Sequence, residues 1–429
     1  MNNIVVTTLE NICLQEKGAI ISGPFGSNIS SKFFVLTGVP VIRGNNLSLS
    51  YDKFFDDGFV FVTKEKAEEL KCYAYRGDMI FTAAGTIGQV GIIPNESKYE
   101  VYVISNKQIR ARIDTSKIDL LYAYYWFSSP WIQALLIKSN KGSTVPLLTL
   151  NEVRNLPISY PKDIYDQKRI AYCIETISKK IENNKKINDN LHQQLKLLYD
   201  YWFVQFDFPD DNEKPFKSSG GKMEWNELLK RNVPNNFSVI SMSQILSFLS
   251  GFSFSSEEFK SNAKYKLLTI KNVQDTGITS EVDNYIESIP TNMPDYCLLK
   301  PKDILMSLTG NVGRIGLLYF SNCLLNQRVA LIKPNNSKIL AYVYMLLKSD
   351  YVRKKFETIA GGSSQANLSP IEASNTYIAY NNSLAEKFSS KAEPLINQVV
   401  NNLQENLALT ELRNWLLPML MNGQATIAD

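Results

Sequence analysis

Histidine and paired cysteine are what this chain has least of. Its 429 residues include one histidine, His192, and five cysteines. Cys13, Cys72, Cys173, Cys297 and Cys323 are isolated, odd in number and never at Cys-x-x-Cys spacing. A zinc site and a disulfide framework are therefore not expected, and the pattern fits a reducing compartment. Ser-His-Asp and Cys-His nucleophile schemes would have to use His192, which sits in a helical stretch and reads more simply as a surface or seam side chain. No GxxxxGK[ST] phosphate loop, HExxH pair, EF-hand loop or NPPY-like adenine pocket occurs, which weighs against an enzyme. No run of about 18 apolar residues is present, so no membrane span is expected. The start, MNNIVVTTLENIC, lacks the basic stretch and apolar core of a secretory signal, and cytoplasmic localisation is the expectation. Acidic residues nearly balance basic ones, 42 against 46, so a nucleic-acid surface would have to be a local patch rather than a global excess.

What the chain does have is internal duplication. GDMIFTAAGTIGQVG (77–91) is echoed 225 residues later by KDILMSLTGNVGRIG (302–316). Asp78 maps on Asp303, and Gly85, Gly88 and Gly91 map on Gly310, Gly313 and Gly316. In the same order, ISGPFGS (21–27) faces LSGFSFS (249–255), VIRGNNL (41–47) faces LLTIKNV (267–273), and QIRARI (108–113) faces QRVALI (327–332). GSTVPLLTLNEVRNLPISY (142–160) faces GSSQANLSPIEASNTYIAY (362–380). The offset drifts from 228 to 219, as loop trimming produces. Each copy is strand-rich and punctuated by Gly, Pro and Asn, with one apolar aromatic helix late in the copy. The GxxGxxG glycines fall between strand runs rather than between a strand and a long helix, so tight turns explain them better than a dinucleotide fingerprint.

Each copy ends in a helical stripe. The first reads Ile170, Ile174, Ile177, Ile181, then Leu191, Leu195, Leu198 and Trp202. The four-three spacing is complete if Asn184 and Asn188 occupy two seam positions, where polar residues set register at some cost in stability. The second stripe is Phe388, Leu395, Val399, Leu403, Leu407, Leu412 and Leu416, with Pro418 expected to stop it. The first helix, about 38 residues, would run roughly 57 Å. The expected fold class is α+β: two tandem, similar, mixed β-rich globular domains, each followed by a long α-helix, the helices pairing as an antiparallel coiled coil. The expected boundaries are residues 1–163 and 238–382 for the globules, 164–206 and 383–422 for the helices, and 207–237 for a Pro-, Gly- and Ser-rich linker.

SGPFGS, the Gly-rich repeat, and GSTVPLLTLNEVRNLPISYP followed by DQKRIAYCIETISKKIE resemble the specificity subunit of type I restriction–modification systems. LYDYWFVQFDFPDDNEKPFKSSGGKMEWN (198–226) and LRNWLLPMLMNGQ (412–424) are similar to that family's central and C-terminal helical regions. The resemblance covers essentially the whole chain. It implies two target-recognition domains, each reading one half of a split double-stranded DNA target, and a pair of helices acting as a ruler. It also implies a chain without catalysis or cofactor of its own. Methyltransferase subunits would carry S-adenosylmethionine, and ATP- and Mg-dependent restriction subunits would join them. One departure is that the second copy reads NNSLAEKF where the first reads PKDIYDQKRI, so its helix is expected to start differently. The alternatives are a non-catalytic protein-binding scaffold with duplicated domains, and the specificity subunit of a related type II system.

Base-edge readout needs Arg, Lys, Asn, Gln, Ser and Thr. In the first copy the candidates are Arg43, Asn45, Asn46, Thr86, Gln89, Lys107, Gln108, Arg110, Lys141, Ser143 and Thr144. In the second they are Lys271, Asn272, Asn311, Arg314, Gln327, Arg328, Ser363, Ser364 and Gln365. Taken singly, each reads more simply as an ordinary solvated side chain. Positions alike in both copies, such as Asp78 and Asp303, suit a role in the fold, whereas differing ones, such as Gln89 against Arg314 or Val145 against Gln365, suit discrimination. Tyr199, Tyr201, Trp202, Phe203 and Trp415 crowd the helix ends, where burial is the simpler reading and a methyltransferase contact the sharper one.

Overall fold

The computed structural model describes residues 4–138, 147–361, 366–425 and 427. The chain divides into two compact units, Met1–Ile181 with Leu409–Asp429, and Glu182–Ala408. These boundaries cut both long helices rather than falling at their ends. Each unit therefore consists of one globule and the helix segments packed on it, which a boundary drawn from composition shifts does not reveal.

In the first unit, Ile20–Ser22, Gln108–Ala111, Met79–Thr82 and Val90–Ile92 form an antiparallel sheet in that order. A second sheet runs Val60–Val62, Val39–Ile42, Val101–Ile104, Tyr73–Tyr75, with a parallel central pair. Alternation along the strands builds two cores. Met79, Phe81, Ile109 and Ala111 face a core filled by Tyr122, Tyr125 and Phe127, while Ile80 faces the core containing Val41 and Val103. This is why Met79–Thr82 is apolar on both faces and buried throughout.

The second unit repeats the plan. Leu246–Ser250, Val329–Pro334, Ile304–Ser307 and Ile315–Leu317 form one sheet. Tyr285–Ile286, Tyr265–Leu268, Cys323–Leu325 and Leu298–Leu299 form the other, again with a parallel central pair. Ile304 and Met306 face the core under the helices, and Leu305 faces the other core. The supposed linker is not only a linker. It contains the hairpin Met223–Asn226 with Arg231–Pro234, and Phe208, Val233 and Phe237 are buried in the second unit's core. The aromatic residues hidden among its Pro, Gly and charged neighbours supply that anchorage.

The central helix spans Ile164–Tyr199 and closes with a π turn at Asp200–Val204. Ile174, Ile181, Asn184, Asn188 and Leu195 are buried, as the heptad reading expects. Within the second unit, Asn184 Nδ2 donates to Glu405 Oε2 (2.7 Å) and Asn406 Oδ1 (2.9 Å), and Asn402 Nδ2 donates to Asn188 Oδ1 (2.8 Å). Further along, the Tyr199 ring lies 5.9 Å from Phe388. Residue numbers rise on one helix as they fall on the other, so the pairing is antiparallel. Tyr199, Trp202 and Phe203 are buried, whereas Tyr201 and Trp415 are exposed.

The C-terminal helix, Asn382–Met421, departs from its expected stripe in two places. Leu412 is 45% exposed, and Arg413 takes the inward position with its guanidinium 4.3 Å from the Tyr51 ring centroid. Pro418 does not stop the helix. It removes an N–H only from the bond to the turn before it, and its own carbonyl still accepts from Asn422 N at 3.0 Å. The two helix starts differ as their sequences suggest. Gln167, fully buried, donates to Pro161 O (2.7 Å) and accepts from Asp119 N (2.7 Å). In the second unit Asn381 Oδ1 accepts from Leu384 N, and Ser389 Oγ accepts from Tyr342 N.

Candidate nucleic-acid interface

In each unit, separate loops converge on the Gly-rich turn. In the first, Thr82 N donates to Gln89 O (3.0 Å), closing the turn around Gly85 and Gly88. Both glycines have left-handed φ, +93° and +98°, and so do Gly310 and Gly313, at +72° and +77°. That answers the recurrence of the GxxG spacing, because side-chain-bearing residues would be strained there. Ala83 N donates to Lys107 O (2.7 Å), and Leu148 N donates to Ala83 O (2.7 Å). In the second unit, Leu308 N donates to Arg328 O (3.0 Å), and Leu368 N donates to Leu308 O (2.8 Å). A bridge of Ala84 with Leu147 is matched by one of Thr309 with Asn367.

A third segment is tied in by the residue after the turn. Gln89 Nε2 donates to Gly44 O and Leu47 O, both at 3.0 Å. At the equivalent position Arg314 donates to Gln274 Oε1 (3.0 Å) and pairs with Asp275 Oδ2 (2.9 Å). Different side chains thus hold the same loops, and Gln274 and Asp275, absent from the sequence-derived set, belong to this arrangement.

Four of the expected readers turn out to be parts of the fold. Asn46 is buried, accepting from Arg43 N and donating to Phe55 O and Asp57 O. Asn272 repeats the motif, accepting from Thr269 N and donating to Glu281 O. Gln108 is buried with its amide against the Ser105 hydroxyl. Arg110 is 3% exposed, donates to Tyr73 O and Gly18 O, and lies 3.7 Å from Asp78 Oδ2. Burial pushes the Asp78 carboxyl up and the Arg110 guanidinium down from their ordinary values, each against the attraction of the other. Asp78 and Asp303 also accept from Tyr75 N and Lys300 N, the shared structural role their recurrence suggests.

The sheet register also corrects one repeat. Arg110 pairs with Ile80 and Ile21, whereas Leu331 pairs with Leu305 and Leu249. Arg110 therefore corresponds to Leu331, and Lys107 to Arg328, an offset of 221 rather than the 219 of QIRARI and QRVALI. A two-residue slip keeps every side chain on its own face, so apolar alternation cannot detect it.

Asn45, Thr86 and Lys107 are exposed in the first unit, and Lys271, Asn311, Gln327 and Arg328 in the second. Arg43, Gln89 and Arg314 are half-buried. Lys271 is engaged by Asp283 at 2.7 Å. Lys141, Ser143, Thr144, Val145, Ser363, Ser364 and Gln365 lie outside the described residues. Among the described residues no cluster of His, Cys, Asp and Glu is arranged to hold a metal, and no helix is long and apolar enough to cross a membrane. His192 lies on the central helix, and burial with the nearby Lys348 charge pushes its imidazolium down to about 4.

Two similar sheet frames, each presenting the same loop edge with different side chains, match a known family. Residues 5–193 and 234–378 match the type I restriction modification DNA specificity domain. The chain belongs to the type I restriction–modification DNA specificity family. It is 24% identical over 412 residues to the type I restriction enzyme MjaIX specificity subunit of Methanocaldococcus jannaschii, covering 94% of this chain and 91% of that one. It is 23% identical over 339 residues to the HindI specificity subunit of Haemophilus influenzae, covering 67% of this chain and 73% of the relative. The fold is similar to that of the type I system S subunit from M. genitalium, with a TM-score of 0.58 at 16% identity over 98% of this chain and 96% of that one. As a specificity subunit, the chain selects DNA sequence and is non-catalytic.

Proposed function

We propose that each globule reads one half of a bipartite double-stranded DNA sequence through its Gly-turn loop edge, and that the paired helices set the spacing between the halves. The carrying observation is the duplicated edge: Ala83, Lys107 and Leu148 are bonded as Leu308, Arg328 and Leu368 are, while the exposed side chains differ. Equal frames give two heads of equal reach, and unequal side chains give two different half-sites. The helices dock methyltransferase subunits, which bind S-adenosylmethionine and modify adenine, and ATP- and Mg-dependent restriction subunits complete the assembly in the cytoplasm. The exposed Trp415 and Tyr201 suit such docking, because large aromatics anchor interfaces.

The test is to methylate a plasmid library with this chain and its methyltransferase subunits, then sequence the modified adenines. The expected motif is split by an unread gap. A contiguous motif, or methylation indifferent to sequence, refutes the reading. Exchange of residues 1–160 for those of a relative is expected to alter one half of the motif only.

A further inference from the structure

We infer that Lys107 and Arg328 are equivalent phosphate anchors, which seat the two loop edges on the DNA backbone without reading bases. This rests on the DNA-reading function proposed above and assigns one position in each edge a separate task. The sheet registers make the two residues counterparts, a correspondence that direct comparison of the repeated sequences misplaces by two. The turns that present them are built alike. Ser105 Oγ accepts from Lys107 N (3.3 Å), and Asn326 Oδ1 accepts from Arg328 N (3.4 Å). In both units the carbonyl of the cationic residue is bonded by the first residue of the Gly turn. The backbone is therefore held on both sides of a side chain that is itself exposed.

The charge state of the surroundings singles out these two. Of the basic residues expected to read DNA and described in the structure, Arg110 is paired with Asp78, Arg314 with Asp275 and Lys271 with Asp283. Arg43 donates to Gly58 O. Among the described residues, neither the Lys107 nor the Arg328 side chain has an acidic or carbonyl partner. Heads that read different sequences must differ where they touch bases. A cation kept at the same place in both, on the same rigid turn and left unneutralised, meets what every sequence shares, and that is phosphate.

The experiment compares Lys107→Gln, Arg328→Gln and the double variant with the wild-type chain, each assembled with its methyltransferase subunits. Binding to the methylated motif is measured across salt concentrations, and the motif is redetermined by sequencing. Each single variant should lower the slope of log affinity against log salt by about 0.9, and the double variant by about twice that. Between 50 and 200 mM salt each single variant should therefore lose about threefold less affinity than wild type, and the double variant about tenfold less. The motif should stay unchanged. Arg328→Lys should keep both slope and motif, because a point charge serves a phosphate but not a bidentate guanine contact. An unchanged slope, or a relaxed half-site in any of these variants, overturns the anchor assignment while wild-type selectivity stands. A wild-type complex with no sequence selectivity would instead sink the DNA-reading function itself.

Discussion

Asn46, a candidate base reader by residue type, is buried in a hydrogen-bond network of the fold, and Asn46→Ala separates the two roles. The side chain makes three hydrogen bonds from a fully buried position, with Arg43 N at 3.0 Å, Phe55 O at 3.0 Å and Asp57 O at 2.8 Å. At about 0.5–1.5 kcal/mol net for each bond, the variant should lose about 3 kcal/mol, since the backbone groups left behind are shielded from water. Native-state hydrogen exchange on the amides of residues 43–57 is the suitable assay, because a chain of two units does not give one well-defined unfolding free energy. Protection there should fall by the same amount while the second unit is unaffected. Asn45→Ala serves as the control. That side chain is exposed and makes one bond, to Gly58 O at 3.2 Å, so its removal should cost about 0.5 kcal/mol or less. If Asn46→Ala left protection intact and weakened only DNA binding, Asn46 would be a reader and the burial argument would be wrong.

Gly23→Ala places a Cβ 1.8 Å from Ser105 O, and Gly251→Ala places one 2.3 Å from Asn326 O, so neither side chain fits without moving backbone. Each should lower the melting temperature of its own unit by several degrees in calorimetry, and an unchanged thermogram would contradict the close approach. Asn188→Leu alone strands the Asn402 amide that donates to it, and should lower native-state hydrogen-exchange protection of the helix amides around residues 188 and 402 by about 1–3 kcal/mol. The Asn188→Leu, Asn402→Leu double variant should recover that loss or exceed it, because an apolar pair leaves no buried amide. His192 titrates at about 4 against an ordinary 6.5, so the folded state binds its proton later than the unfolded chain does. Stability from the neutral imidazole is complete above about pH 6.5 and is lost as pH falls toward 4, at most about 3 kcal/mol and less after solvent screening. His192→Gln should flatten that part of the stability–pH curve, and an unchanged curve would refute the assignment.

The sequence by itself determined the duplication, the strand-rich character of each copy, the turn role of the glycines and the polar seam positions of Asn184 and Asn188. These are local or periodic properties, and φ > 0 at Gly85 or a buried seam every three or four residues leaves its mark on the chain directly. Tertiary structure decided which polar side chains meet solvent. Asn46, Gln108, Arg110 and Asn272 look the same in sequence as exposed neighbours such as Asn45 and Lys107, and only the strands and loops folded over them remove them from water. It also decided the two-residue register that makes Lys107 the counterpart of Arg328, because ladder hydrogen bonds, unlike side-chain alternation, distinguish a shift of two.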